Sequence, residues 1–333
     1  MHILHDKDAD LKHLQGKTVA VIGFGSQGSA QALCLRDSGV NVIVGESREL
    51  AGKSNPSWDL ARENGFEVYD IAEAATRAHI IHILLPDEHH ASVYREKIEQ
   101  SMTGGKTLCC SHGFNIVYER IIPPPDVDVI MVAPKSPATE ERKAYLAGFG
   151  VPGLIAVRQD YTGTARHSAL ALAKAMGFTR AGVLECTFEE ETYEDLFGEQ
   201  NVLCGGMTDL IKCGFEVLTE AGYPEEMAYF EVLHELKLIV DLIYEGGISK
   251  MNAVISNTAE WGQYVNGPKI IDSSVKQRMK ASLKAIEDGS FAQRWIEESK
   301  KGCPNLLKER QAMADHPIEK TGKKIRSLFE RAQ

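Results

Sequence analysis

TVAVIGFGSQGSAQALCL, residues 18–35, decides the fold of this chain. A β-branched apolar run ends at Gly23 and a helical pattern begins a few residues later. Between them Gly23, Gly25 and Gly28 stand in G-x-G-x-x-G spacing. Glycines at those places allow a tight turn and a close backbone approach, and the helix that follows presents its N-terminus to a pyrophosphate. Alone the pattern is a weak signal; between a first strand and a first helix it is a strong one. Gly23, Phe24, Gly25, Ser26, Gln27 and Gly28 are therefore the expected phosphate-binding turn, with a purely structural glycine turn as the minor alternative.

The same grammar continues outward. Short apolar runs recur at VNVIVG (40–45), HIIHILLP (79–86), TLCCSHG (107–113), DVIMVAPK (128–135), LIAV (154–157) and AGVLE (181–185). Helical patterns such as HHASVYREKIEQSM lie between most of them. This alternation predicts a Rossmann-like α/β domain, a parallel sheet covered on both faces, over residues 1–186. After Cys186 the β-like runs largely vanish and helical periodicity continues to the end. Gly205-Gly206, Gly222-Tyr223-Pro224, Gly246-Gly247 and Gly267-Pro268 punctuate it. An all-helical domain is expected over residues 187–329, so apolar in LKLIVDLIY that it packs against another copy of itself.

The 333 residues suffice for two domains. The net charge of −10 provides no basic field for nucleic acid or an anionic membrane. No segment reads as a membrane span, the N-terminus lacks the apolar core of a signal peptide, and the seven cysteines form no CxxC pattern. A cytoplasmic protein with reduced thiols is expected.

Two carboxylate pairs stand out in the helical part. Asp195 with Glu199, and Glu231 with Glu235, are each spaced i, i+4, so each pair leaves one helical face. Like charges at that spacing weaken a helix by roughly 0.2–0.5 kcal/mol. Glu231 and Glu235 continue into Leu238 and Leu242, a stripe expected to face the core, where a carboxylate is costly unless paired or metal-bound. Convergent acids without cations on their face suggest a hard divalent ion, Mg²⁺ first. The competing view is a solvated acidic surface, most credible for the Glu189, Glu190, Glu191 and Glu194 run. His234, off the face of its flanking glutamates, reads as structural.

The strand ends supply the remaining candidates, because ligands of an open parallel sheet bind outside its carboxyl edge. Glu46 ends the second strand, where an acid accepts hydrogen bonds from an NAD ribose. The loop after it offers Arg48, Lys53, Ser54 and Ser57 to a 2′-phosphate, so the two signals conflict. Asp87, His89 and His90 follow the third strand and are expected to line the cofactor cleft. His112 and Lys135 end the fourth and fifth, one suited to proton transfer and the other to holding an anionic oxygen. Ser256, in VISNTAEWGQY, could orient a small polar substrate or simply cap a helix.

GFGSQG, SHGFN, VAPK, DLFGEQ, FEVLHELKLIVDLIYEGG and ISNTAEWG together resemble ketol-acid reductoisomerase, also called acetohydroxyacid isomeroreductase, in its short form, over essentially the whole chain. The resemblance implies conversion of 2-acetolactate, or its ethyl homologue 2-aceto-2-hydroxybutyrate, into a 2,3-dihydroxy acid in branched-chain amino-acid biosynthesis. It implies two Mg²⁺ held by Asp195, Glu199, Glu231 and Glu235, an active-site His112 with Lys135 beside it, and Ser256 on the substrate carboxylate. It further implies a knotted helical domain that completes its sites in a homodimer or a multiple of dimers. NADP(H) is the favoured cofactor by resemblance, with NADH possible. The chain departs from the family pattern at Ser29, Ser136 and Ala138. A β-hydroxyacid dehydrogenase and a non-catalytic nucleotide sensor are the alternatives; neither explains the four acids.

Overall fold

The computed structural model describes residues 2–50 and 52–328; residue 329, the expected end of the second domain, lies outside them. The chain divides into two compact units, Met1–Glu194 and Asp195–Gln333.

In the first unit the expected strands form at β1 (Thr18–Ile22), β2 (Asn41–Gly45), β6 (Ile80–Ile83), β7 (Thr107–Cys110), β8 (Asp128–Pro134), β9 (Gly153–Gln159) and β10 (Val183–Glu185). The patterning missed β5 (Glu67–Tyr69), which pairs beside β2 at the sheet edge, and a two-stranded hairpin of β3 (Glu49–Leu50) and β4 (Lys53–Ser54). Its edge place explains the first miss: β5 is short and only partly buried, so it lacks the continuous apolar run of its neighbours. The sheet order is β10-β9-β8-β7-β6-β1-β2-β5. The chain leaves β1 towards opposite sides, to β2 and to β6, and a crevice opens at such a reversal.

The expectation of a wholly parallel sheet needs one correction. β9 runs antiparallel to β8, and β10 runs parallel to β9, while the other pairs are parallel. Apolar runs do not encode strand direction, because burial on both faces looks the same either way.

Side chains alternate between the two faces of the sheet. Val19, Val21, Val42, Val44, Ile130 and Val132 enter one core, joined by α1 (Ser26–Asp37) and α7 (Ala165–Ala175). Ala20, Ile22, Ile43, Ile81, Val129 and Met131 enter the other, with α3 (Ile71–Arg77) and Ala91 of α4 (Asp87–Val93). Also used below are α2 (Pro56–Glu63), α5 (Phe114–Val117) and α6 (Ala138–Leu146), the last packed on α1. A short α8 (Phe178–Ala181) precedes β10.

Helix α9 (Phe188–Gly198) runs to the start of the second unit, which is helical throughout its described residues. Its helices include α10 (Gly205–Glu220), α11 (Glu225–Tyr229), α12 (Glu235–Val254) and α13 (Asn257–Ile270). Its core gathers Phe215, Ala228, Tyr229, Ile318 and Ile325. Gly247, at φ 81°, kinks α12 as the Gly246-Gly247 break predicted. Gly267-Pro268, by contrast, does not end α13, since Pro268 lies inside its last turn. No helix among the described residues is long and apolar enough to cross a membrane, and all seven cysteines are free.

Candidate active site

The glycine turn has the close contacts its spacing implies. A Cβ on Gly28 would lie 2.0 Å from the Gly23 carbonyl oxygen, and Gly23 itself sits at φ +95°. Around Gly25 the space is open, with nothing within 4 Å of a Cβ there. A cradle closed behind and open in front is what a pyrophosphate needs. Ser29 turns back to hydrogen-bond the Ser26 carbonyl at 3.0 Å.

Glu46 is buried and directed at that turn. Its Oε2 accepts from the Phe24 N–H at 3.0 Å, and its Oε1 accepts from the Ser47 N–H and from Asn55 Nδ2. The loop groups proposed for a 2′-phosphate are differently engaged. The Arg48 guanidinium lies 5.1 Å over the Trp58 ring of α2, and Ser54 donates to the Asp59 carboxylate at 3.0 Å. Lys53 is exposed, and the Ser57 N–H is held by the Asn55 side chain.

The ends of β7 and β8 meet at a residue not singled out from the sequence. Glu191, on α9, is almost fully buried; Lys135 Nζ donates to one of its oxygens at 2.8 Å and His112 Nδ1 lies 3.1 Å from the other. Burial alone would raise this carboxyl. The bonds and charges of His112 and Lys135 outweigh it and hold Glu191 below the ordinary range. A carboxylate only accepts, so Nδ1 carries the proton of this pair. Gly113 makes the approach possible: a Cβ there would sit 2.2 Å from Thr192 Oγ1 and 3.2 Å from Phe188. The available signal was spacing, for Glu191 stands one turn before Asp195 on the same helix.

The other strand-end candidates fare unevenly. His90 is buried, with Nε2 2.6 Å from the Leu85 carbonyl, and burial depresses its pKa. Burial raises the pKa of Asp87, whose backbone carbonyl accepts from Asn115 Nδ2 of α5. His89 faces solvent. Ser136 bonds the Pro137 carbonyl, and Ala138 opens α6.

In the second unit both carboxylate pairs sit at helical irregularities. Glu199 begins a π-helical turn, Glu199–Leu203, and Glu231 lies in another, Phe230–His234, which runs into Glu235 at the head of α12. The plain α-helical stripe expected from sequence is thus replaced by a widened turn at each pair. Gly205 and Gly206 permit the first, since a Cβ on either would lie about 2 Å from the carbonyl oxygen five residues back. Such turns recur at functional sites. The core-facing position expected for Glu231 and Glu235 is also corrected, because both are exposed in the single chain, as is Leu238. Lys237 pairs with Asp241 and leaves the two glutamates alone. His234 packs edge-on against Phe230, centroids 5.3 Å apart. Ser256 caps α13, its Oγ accepting from the Ala259 N–H at 3.1 Å.

Known proteins match this chain along its length. Residues 13–182 match the family model for the acetohydroxy acid isomeroreductase NADPH-binding domain, and residues 188–331 that for the ketol-acid reductoisomerase C-terminal domain. A ketol-acid reductoisomerase (NADP(+)) of Akkermansia muciniphila is 64% identical over 331 residues, 99% of this chain and 100% of the relative. A ketol-acid reductoisomerase (NAD(+)) of uncultured archaeon GZfos26G2 is 59% identical over 329 residues, 99% of each chain. Among solved structures, an NADH-preferring ketol-acid reductoisomerase from an uncultured archaeon superposes with a TM-score of 0.97 at 58% identity, covering 99% of this chain and 100% of its own. These matches do not favour the β-hydroxyacid dehydrogenase alternative. With both domains matched in order, a nucleotide-binding sheet followed by one helical domain, the chain belongs to the ketol-acid reductoisomerase family.

Proposed function

We propose that this chain converts 2-acetolactate and 2-aceto-2-hydroxybutyrate into 2,3-dihydroxy acids, as a Mg²⁺-dependent homodimer that prefers NADH and also uses NADPH. The observation that carries the catalytic reading is Glu191, buried and gripped by His112 and Lys135 at adjacent strand ends. That grip orients the imidazole through its Nδ1, which suits His112 to a proton-transfer role. Lys135, about a third exposed, donates to the same carboxylate at 2.8 Å.

Asp195, Glu199, Glu231 and Glu235 would hold two Mg²⁺. The donor set fits, being four hard carboxylate oxygens, and Glu231 and Glu235 have no hydrogen-bond or ion-pair partner among the described residues. When bound, the ions act as Lewis acids on the substrate's carbonyl and hydroxyl oxygens, and the reduced nicotinamide supplies hydride. The substrate loses its hydroxyl proton, its alkyl group moves with the bonding pair to the neighbouring carbonyl carbon, and the ketone left behind is reduced. Ser256 would donate its hydroxyl proton to the substrate carboxylate while its Oγ keeps accepting from the Ala259 N–H. Residues 1–186 would bind the dinucleotide, and residues 187–329 the metals, the substrate and the second subunit.

The cofactor preference rests on Glu46. Its inward direction, held by three donors, sets its carboxyl at the strand end where a ribose diol is accepted and a 2′-phosphate disfavoured. This revises the lean towards NADP(H) taken from the family resemblance. The relatives are divided: the archaeal structure is described as NADH-preferring and the Akkermansia protein as NADP(+)-dependent.

The test is a spectrophotometric assay with racemic 2-acetolactate, Mg²⁺ and each reduced cofactor. Turnover that persists in EDTA would refute the metal reading, and no oxidation of either cofactor would refute the reaction. The kcat/KM ratio should favour NADH by about tenfold, and Glu46→Gln should shift it towards NADPH by about tenfold to a hundredfold, a fraction of a close charge contact. An unchanged ratio would remove Glu46 from cofactor choice.

A further inference from the structure

Helix α6 carries a buried carboxyl that no step above uses. Glu141 is 1% exposed and faces α1 where the two helices pack. Its Oε2 accepts from the Gln27 side-chain NH₂ at 2.6 Å; its Oε1 is buried without a hydrogen-bond partner among the described residues. Gln27 belongs to the GFGSQG turn, in the first turn of α1, where N–H groups are presented to a dinucleotide's phosphates.

Among the described residues no neighbouring cation answers a charge on Glu141. Arg142 reaches Asp37 and the Cys34 thiol instead, at 2.5 and 3.7 Å. Arg36 of α1 is taken by Asp37 and the Asn64 carbonyl. Lys143 pairs with Glu140 on the exposed side of α6. Cys34, on the same face of α1, has its thiol pushed up by burial to about 11 and stays neutral below that.

We propose that Glu141 is a positioning residue and pH gate for the dinucleotide: protonated, it donates to the Gln27 carbonyl and leaves the Gln27 NH₂ for the anionic cofactor, whereas ionised it takes that NH₂ and sets a negative charge behind the phosphate cradle. The two ends of a side-chain amide are interchangeable in shape. A separation of 2.6 Å suits an O–H···O bond better than an N–H···O bond. Burial pushes Glu141 up to about 8, against the opposing pull of the Gln27 bond, so the exchange falls just above neutrality. The proton released passes to solvent.

This inference rests on the dinucleotide reading, and NADH binding to the metal-free protein separates the two. Its affinity would be followed by nucleotide fluorescence from pH 6.5 to 9.5. The wild type should bind with constant Kd to about pH 7.5 and then weaken, approaching tenfold per pH unit beyond the midpoint. Glu141→Gln, which can still donate to the Gln27 carbonyl but cannot ionise, should stay within about twofold over the whole range. Gln27→Ala should bind weakly at every pH, without the break. If Glu141→Gln does not fold, Glu141→Met supplies an uncharged side chain of similar volume and should also lack the break. A wild-type Kd without a break, or the same break in Glu141→Gln, would overturn the gate. Absence of NADH binding at pH 7 would refute the dinucleotide reading and the gate with it.

Discussion

The two units of this chain solve burial differently. The sheet unit closes on itself: both faces of its central strands are covered, and Val19, Ile22, Ile80, Ile81, Ile130 and Ile155 are fully buried. The helical unit, with a small core around Phe215 and Tyr229, leaves large apolar side chains in the open. Tyr244 is 90% exposed, Trp261 70% and Ile248 58%, with Leu238, Val240 and Val254 beside them in sequence. In the proposed homodimer these are the side chains a second copy would cover. The difference teaches that apolar content alone does not locate a core, because it shows that a helix is buried without showing against what.

That contrast can be broken in four ways. The largest effect should come from Glu231→Gln or Glu235→Gln, which exchange a carboxylate for an amide at nearly constant volume on an exposed helix. Turnover should fall on the order of 10²–10³-fold, the scale of one lost electrostatic stabiliser, with NADH affinity of the sheet unit unchanged. Isothermal titration with Mg²⁺ and NADH in turn checks both halves of that statement.

Ile248→Asp, within the exposed apolar run of α12, should convert the proposed dimer to monomers and remove activity. The sheet unit should keep its fold and its nucleotide binding. Light scattering that finds an active wild-type monomer at micromolar concentration would show instead that the helical unit needs no partner.

Inside the sheet unit, Glu191→Ala removes the shared partner of His112 and Lys135. Breaking a buried pair costs about 3–5 kcal/mol. Here Lys135 is about a third exposed and can resolvate, so a loss of about 2–3 kcal/mol in chemical denaturation is expected, together with loss of turnover. Unaltered stability would mean that Glu191 is held by its helix and not by those bonds.

The last effect is a slope. Glu141 is raised in the folded protein from 4.5 to about 8, so the folded state binds the extra proton between those values and stability falls as pH rises through that window. Glu141→Gln should remove this slope, matching the wild type at pH 4 and exceeding it by up to about 4 kcal/mol at pH 8. Parallel pH–stability curves for the two proteins would contradict the burial argument.

Much of the sheet unit was legible in the chain itself. β-branched runs, their spacing and the G-x-G-x-x-G turn are local signals, and local signals suffice where each strand is buried on both faces and each helix covers its neighbour. His112 and Lys135 could be chosen as strand-end residues for the same reason. Glu191 could not, because its acid run looked like a solvated surface until α9 folded it against two strand ends. Glu141 was hidden similarly: TEERK reads as the polar start of a helix, and only the packing of α6 on α1 buries one of its two glutamates.

What the sequence by itself determined was the order of elements, the glycine turn between β1 and α1, the change to an all-helical second part and the four acids worth attention. All of these follow from residue type and short-range spacing. The antiparallel turn of β9, the inward direction of Glu46, the π-helical turns at the carboxylate pairs and the exposure of α12 were decided only by the tertiary structure. Each depends on which groups from distant parts of the chain meet. Neither hydrophobic periodicity nor residue spacing carries that information, since the same run satisfies either strand direction, either side-chain direction and either kind of burial.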